Sequence, residues 1–228
     1  MRIMKKELSY FRIGKCFGGN QDWFRDPMMR LGGCAAATAC DLCVYLALYQ
    51  NKKHLCPYEA GTLDKKQYIG FSKIMKPYLK PRREGVNRLE LYIDGFGQYL
   101  KDREENSVAL SGFDGAAPLK EAAAVIKGQI DRGMPVPYLL LKHKDPLLKD
   151  FVWHWFLLVG YEDFEDTFML KLSPTVNTSG WILKICGTLG IQRKAASSLW
   201  KRALRILPGK SPGGNLAQNI IRNEKILI

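Results

Sequence analysis

Two side chains in this sequence stand where covalent chemistry could be done. The stretch RLGGCAAATACDLCVYLAL, residues 30 to 48, sets Cys34 behind two glycines and at the head of a run that is apolar on every side. A helix N-terminus carries about half a positive charge and several unpaired N–H groups, so a thiol there is pushed toward thiolate; nucleophilic cysteines at such sites titrate at roughly 3.5 to 7.5. Gly32 and Gly33 would let the backbone turn tightly and let a substrate carbonyl approach, with the Cys34 N–H aimed at a developing oxyanion. A thiolate nucleophile wants a partner base, usually histidine. Of the three histidines, His54 falls in the loop NKKHLCP and His143 in the polar turn KHKDP. His154 instead opens VWHWFLLVGYE, the most strongly β-forming stretch in the chain. A strand fixes the direction of its side chains, and Trp153 and Trp155 on either side could shield the ring from water. A lone histidine on a strand is ordinarily a hydrogen-bonded structural residue; its pairing with Cys34 raises the catalytic reading.

These two residues need elements to hold them. The run from Cys34 to Tyr49 carries Asp41 as its only charge, and a helix that is apolar all round is normally central and buried. Residues 1 to 33 read as irregular, with Gly18-Gly19-Asn20-Gln21 as a loop. A short helical pattern spans Ser72 to Leu79 and a longer amphipathic one about Val86 to Lys101, with Leu89, Tyr92, Ile93, Phe96 and Leu100 on one face. Val108 to Phe113 is a brief apolar segment. A marked helix follows, with Pro118 early, Glu121 in its first turn and Gly133 just past its end. Val136 to Lys142, Val152 to Glu162, Thr167 to Leu172 and Trp181 to Ile185 are strands joined by short links, which favours an antiparallel sheet. Helices first and sheet second make an α+β protein. Lys194 to Leu207 fits a basic amphipathic helix, with Leu199, Trp200, Ala203, Leu204 and Leu207 on its apolar side.

In this order the features resemble a known family. GGCAAAT opening a buried helix, then GMPVPYLLL, then HWFLLVGYED and TFMLKLSP, looks like the papain-like cysteine peptidase superfamily, and within it the branch of bacteriocin-leader peptidases and their C39-like relatives. The resemblance covers about residues 20 to 180, and the H-x-x-x-x-x-G-Y strand is its most specific part. It implies a papain-like fold, with an N-terminal helical part and a central buried helix packed on a C-terminal antiparallel β-sheet. One domain of 1–228 is expected: a helical part at about 20–132, a sheet part at about 134–186, and a basic helix and tail over 190–228. The resemblance also implies Cys34 as nucleophile and His154 as base, with no cofactor and no bound metal. Two positions depart from the family pattern. The Asp or Asn that orients the imidazole, followed by Pro, is matched by Ser173, with Asn177 a substitute a few residues on. The glutamine that completes the oxyanion hole is matched by Gln21, or its neighbour Asn20, although thirteen residues separate Gln21 from Cys34.

The whole chain of 228 residues, 46% hydrophobic and 25% charged, can bury one sizeable core. No apolar run reaches the eighteen or so residues of a membrane span, and the N-terminus lacks an unbroken apolar core and cleavage site, so a cytosolic protein is expected. In that compartment the six cysteines are thiols, most of them small buried hydrophobes. Cys40 and Cys43 have C-x-x-C spacing, with His54 and Cys56 further on, which is a zinc ligand set in type. Their place inside an apolar helix argues against it, since such pairs usually lie on a tight turn. The formal charge of +13 divides into +5 over residues 64–90 and +8 over 182–228. Both stretches offer a surface to an anionic partner, and a solvated face explains them equally well. The chemistry expected is hydrolysis of a peptide or amide, or acyl transfer, through a thioester. An enclosed pocket lined by Trp153, Trp155 and Phe156 would take a peptide or small acyl substrate. The rival expectation is a non-catalytic binding protein that keeps the fold. Oligomeric state is not written in the sequence.

Overall fold

A computed structural model of the chain describes residues 4–114, 118–141, 152–164, 167–173, 182–186 and 201–208. Asn177, His143, residues 194–200 and everything past 208 lie outside the described residues. Five helices and nine strands are described: β1 (Met4–Glu7), β2 (Arg12–Ile13), β3 (Cys16–Phe17), α1 (Pro27–Gly32), α2 (Cys34–Tyr49), α3 (Lys65–Met75), α4 (Leu89–Asp102), β4 (Val108–Asp114), α5 (Leu119–Asp131), β5 (Val136–Leu140), β6 (His154–Phe164), β7 (Thr167–Leu172), β8 (Ile182–Cys186) and β9 (Lys201–Pro208). The protein is α+β, with N-terminal helices packed on an antiparallel sheet.

The helices start where side chains can satisfy their first N–H groups. Asp26 caps α1 by accepting from Met28 N at 2.9 Å and Met29 N at 3.1 Å, and Pro27 takes the first position, where no N–H is missed. Asp64 and Gln67 form a reciprocal capping box at the start of α3. That box starts the helix at Lys65, seven residues earlier than the spacing of apolar residues predicts. The α2 helix has no side-chain cap; Gly33 joins it directly to α1, donating its N–H to Met29 O at 2.9 Å. Every residue from Cys34 to Ala47 is buried, as a run without a polar face requires. Around it pack Tyr68, Phe71 and Met75 of α3, Tyr92, Phe96 and Tyr99 of α4, and the strands β5 and β6, all in one cluster.

All strand pairs of the main sheet are antiparallel, in the order β4-β9-β5-β6-β7-β8. The long β6 organises it: β5 lies along one edge over residues 154–158, β1 continues that edge over 160–163, and β7 runs along the other. A bulge between Leu158 and Gly160 marks the change of partner. Gly160 sits where a Cβ would be 2.8 Å from Lys6 O, so β1 can pair closely only beside a glycine.

Two expectations are corrected here. Residues 201–208, expected to be the end of a basic helix, are the strand β9, inserted between β4 and β5. The N-terminal 33 residues, read as irregular, carry β1, the β2–β3 hairpin and α1.

Candidate active site

Three segments meet around the head of α2. The first is the loop that follows β3. Gly18 adopts φ +66°, and a Cβ there would lie 2.5 Å from Asp41 Oδ2; at Gly19 a Cβ would lie 1.8 Å from the Tyr68 ring. Both glycines let this loop wrap around Asp41, whose carboxylate accepts from Gly19 N (3.0 Å), Tyr10 OH (2.9 Å) and Tyr68 OH (2.7 Å). The loop then forms a 3-10 turn at Gln21–Trp23, started by Asn20, whose side chain accepts from Asp22 N. Gln21 Nε2 donates to Arg30 O at 2.7 Å, one helical turn before Cys34. Its Oε1 is buried without a partner.

The second segment is the head of α2 itself, and the third is the start of β6. The backbone N–H of Trp155, at the start of β6, acts on the Cys34 thiol and favours its ionised form. Leu157 N donates to Ser173 Oγ at the end of β7, and by the two-residue period of a strand Trp155 N points to that same edge. The head of α2 therefore lies against β6 near this edge. Asp22 is also close: its carboxylate acts on His154 across this site. The Gln21 turn, the head of α2 and the start of β6 are thus linked through Arg30, Asp22 and Trp155, and Asp22 is a residue that the sequence reading missed. Its signal was only adjacency to Gln21.

The electrostatics differ from the expected thiolate. Burial raises the Cys34 thiol above its ordinary value, and the N–H groups of Trp155, Ala35 and Cys34 offset only part of that. Burial also pushes His154 down to about 4, the Asp22 carboxylate opposing some of the drop. Around neutral pH Cys34 is therefore a thiol and His154 a neutral imidazole. The helix terminus is present as expected, but desolvation outweighs it because Cys34 is only 5% exposed.

Other site expectations also change. Ser173 stands opposite Leu157, three register positions from His154 and of opposite parity; its Oγ accepts from Leu157 N, and Tyr10 lies against it. It therefore braces the β6–β7 edge rather than the imidazole. Trp155 and Phe156 are core residues, not pocket walls: Trp155 stacks on Tyr92 at 4.2 Å and donates from Nε1 to Val86 O at 2.6 Å, and Phe156 faces Tyr138 at 5.5 Å. Trp153 is half exposed, with φ +61°, a conformation rare for a bulky side chain. Gly32 does not wait for a substrate carbonyl, because a Cβ on it would stand 2.7 Å from Arg82 O. Cys40 and Cys43 are fully buried in α2 and His54 pairs with Glu105 at 3.0 Å. Among the described residues no group of three or more His, Cys, Asp or Glu side chains is arranged to hold a metal ion.

No protein-family model matches the chain, and no curated protein matches it. Among the described residues no helix is long and apolar enough to cross a membrane.

Proposed function

We propose that the protein is a cysteine-dependent hydrolase on a papain-like fold, of the kind its GGCAAAT and HWFLLVGYE motifs resemble, acting on a peptide or amide bond. The observation that supports this reading is that the Trp155 N–H acts on the Cys34 thiol, so the head of α2 lies against the residue next to His154. The neutral resting pair sets the order of events. Cys34 attacks the carbonyl carbon as its proton passes to the free imidazole of His154, giving a tetrahedral oxyanion. The oxyanion collapses to a thioester as the amine leaves with the proton from His154. Water, deprotonated by His154, then adds to the thioester, and its breakdown frees the acid and returns the proton to the sulfur. The Cys34 N–H and the Gln21 amide would steady the oxyanion once Gln21 Nε2 turns from Arg30 O. Acyl transfer differs only in that an amine or thiol replaces water in the last step.

The test is the rate at which a peptidyl electrophile labels Cys34, followed by peptide mass spectrometry in the wild type and in His154→Ala. With a base-assisted thiol, labelling near pH 7 falls about tenfold or more without the imidazole. Equal rates in the two proteins would end the reading. A raised thiol further predicts that labelling climbs toward alkaline pH, with no plateau near pH 6.

A second reading, a binding protein that keeps the fold, is favoured by the same raised thiol and by the engagement of Gln21 with Arg30 O. It predicts labelling that is indifferent to His154.

A further inference from the structure

The loop between α3 and α4 is the strongest unassigned feature beside the site. Its backbone packs on the turn that precedes the nucleophile: a Cβ on Gly32 would meet Arg82 O at 2.7 Å and Gly85 Cα at 3.6 Å. Its far end holds the neighbour of His154, since Val86 O accepts the Trp155 indole N–H at 2.6 Å. In and around this stretch the loop exposes Lys80, Arg82, Arg83 and Arg88. Against these four cations the loop carries Glu84 alone, which accepts from Asn87 Nδ2 at 3.2 Å. None of the four forms an ion pair among the described residues, whereas Lys76, just before them, is matched by Asp26. A solvated, solubilising face needs no such anchoring, and charges that serve only solubility have no reason to gather on a loop fastened both before Cys34 and beside His154.

We infer that this loop is a cationic rim that selects polypeptide substrates bearing Asp or Glu beside the bond to be cut, an inference resting on the Cys34–His154 reading above. Exposed cations held next to a reacting centre raise the local concentration of an oppositely charged substrate and favour it over a like-charged one. Each exposed pair contributes modestly, so the effect to look for is about tenfold rather than a thousandfold. It must also be salt-dependent, because the screening length shrinks to a few ångströms as salt approaches about 0.5 M.

Three matched peptidyl acyloxymethyl ketones, identical except for Glu, Gln or Lys beside the electrophilic carbonyl, provide the test. Labelling of Cys34 in the full chain is followed by mass spectrometry, with Cys34→Ala correcting for the other cysteines. The Glu probe is expected to label about tenfold faster than the Lys probe at low salt and within about twofold of it near 0.5 M salt. The double variant Arg82→Gln/Arg83→Gln should lose the preference, since it changes exposed side chains and leaves the backbone contact with Gly32 in place. The control Lys53→Gln/Lys101→Gln removes equal charge near the other end of α2, about 24 Å away, and should keep it.

Equal labelling by all three probes would overturn the rim and leave the cysteine mechanism standing. A preference that survives the arginine variant at low salt would overturn it as well. Failure of every probe to label Cys34 would remove the mechanism, and the rim with it. Arginine-dependent binding of an oligodeoxythymidine, with no discrimination among the probes, would assign the loop to nucleic acid and overturn the proposal.

Discussion

Asp41 is a lone buried carboxylate surrounded by donors and not by counter-charges. Gly19 N comes from the loop after β3, Tyr10 OH from the segment after β1 and Tyr68 OH from α3, and no cation faces it from any of them. Burial raises its pKa to about 6 even though these three hydrogen bonds favour the charged form. A carboxyl whose folded value lies above its unfolded value of about 3.9 binds its proton more tightly in the native state. Its contribution to stability is complete below pH 4 and is lost as pH rises from 4 to 6, by an amount on the order of 3 kcal/mol. Other groups in the protein titrate in the opposite sense; Asp26 is held low by Lys76 and the α1 N–H groups, and Glu105 by Ser107 and Lys52 despite its burial. The difference between wild type and Asp41→Asn isolates the residue, because the amide keeps an acceptor while losing the charge. Urea unfolding at several pH values should show the wild type losing roughly 3 kcal/mol relative to the variant between pH 4 and 7. A flat difference would mean that Asp41 titrates as an ordinary exposed carboxyl. The same residue shows what a sequence conceals. One charge in an apolar helix is visible at once, but the three donors that make it the anchor of the Gln21 loop come from positions 10, 19 and 68.

At the scale of elements, the junction of α1 and α2 depends on Gly32 as a point of contact. Its hydrogen faces the backbone of Arg82, so Gly32→Ala must force that loop away from the head of α2 and cost about 1–3 kcal/mol of stability. Gly128 in α5 is the useful contrast, for a Cβ there meets nothing within 4 Å. Gly128→Ala should therefore stabilise by about 0.5–1 kcal/mol through helix propensity alone. Thermal unfolding of the two variants should move in opposite directions, and a common direction would contradict the packing. Which elements were legible in the sequence follows from the same distinction between local and distant causes. The bounds of α2 follow from an apolar run between Gly33 and Gln50, and β6 and β7 from branched and aromatic residues around a polar turn. The start of α3 was also legible locally, in the Asp64–Gln67 pair, though apolar spacing alone hides it. The packing of α2 against β6 was foreshadowed only by residue types. The raised thiol was not foreshadowed at all, because burial is a property of the assembled core.

At the scale of the whole molecule, β9 is the element that sequence pattern gets wrong, and the reason is topological. In KRALRILP the apolar residues Ala203, Leu204 and Leu207 satisfy a helical stripe, while alternation about Arg205 satisfies a strand equally well. The choice is made by a ladder in which Val108 faces Pro208 and Asp114 faces Arg202, across about a hundred residues of chain. No local window contains that information, and such distant pairings form late and at high entropic cost. Their consequence is large: β9 is the partner of β4 and also covers β5 over Tyr138–Leu140, so it joins β4 to the rest of the sheet. A chain ended at residue 200 would leave both strands with bare edges. Hydrogen exchange read on peptides spanning 108–114 and 34–47 separates the effects. In the shortened chain the β4 amides should exchange about a hundredfold faster, while the α2 amides, enclosed by α3, α4 and β6, keep their protection. Unchanged protection of β4 in the shortened chain would mean that residues 201–208 are not its partner, and the helical reading of the basic tail would return.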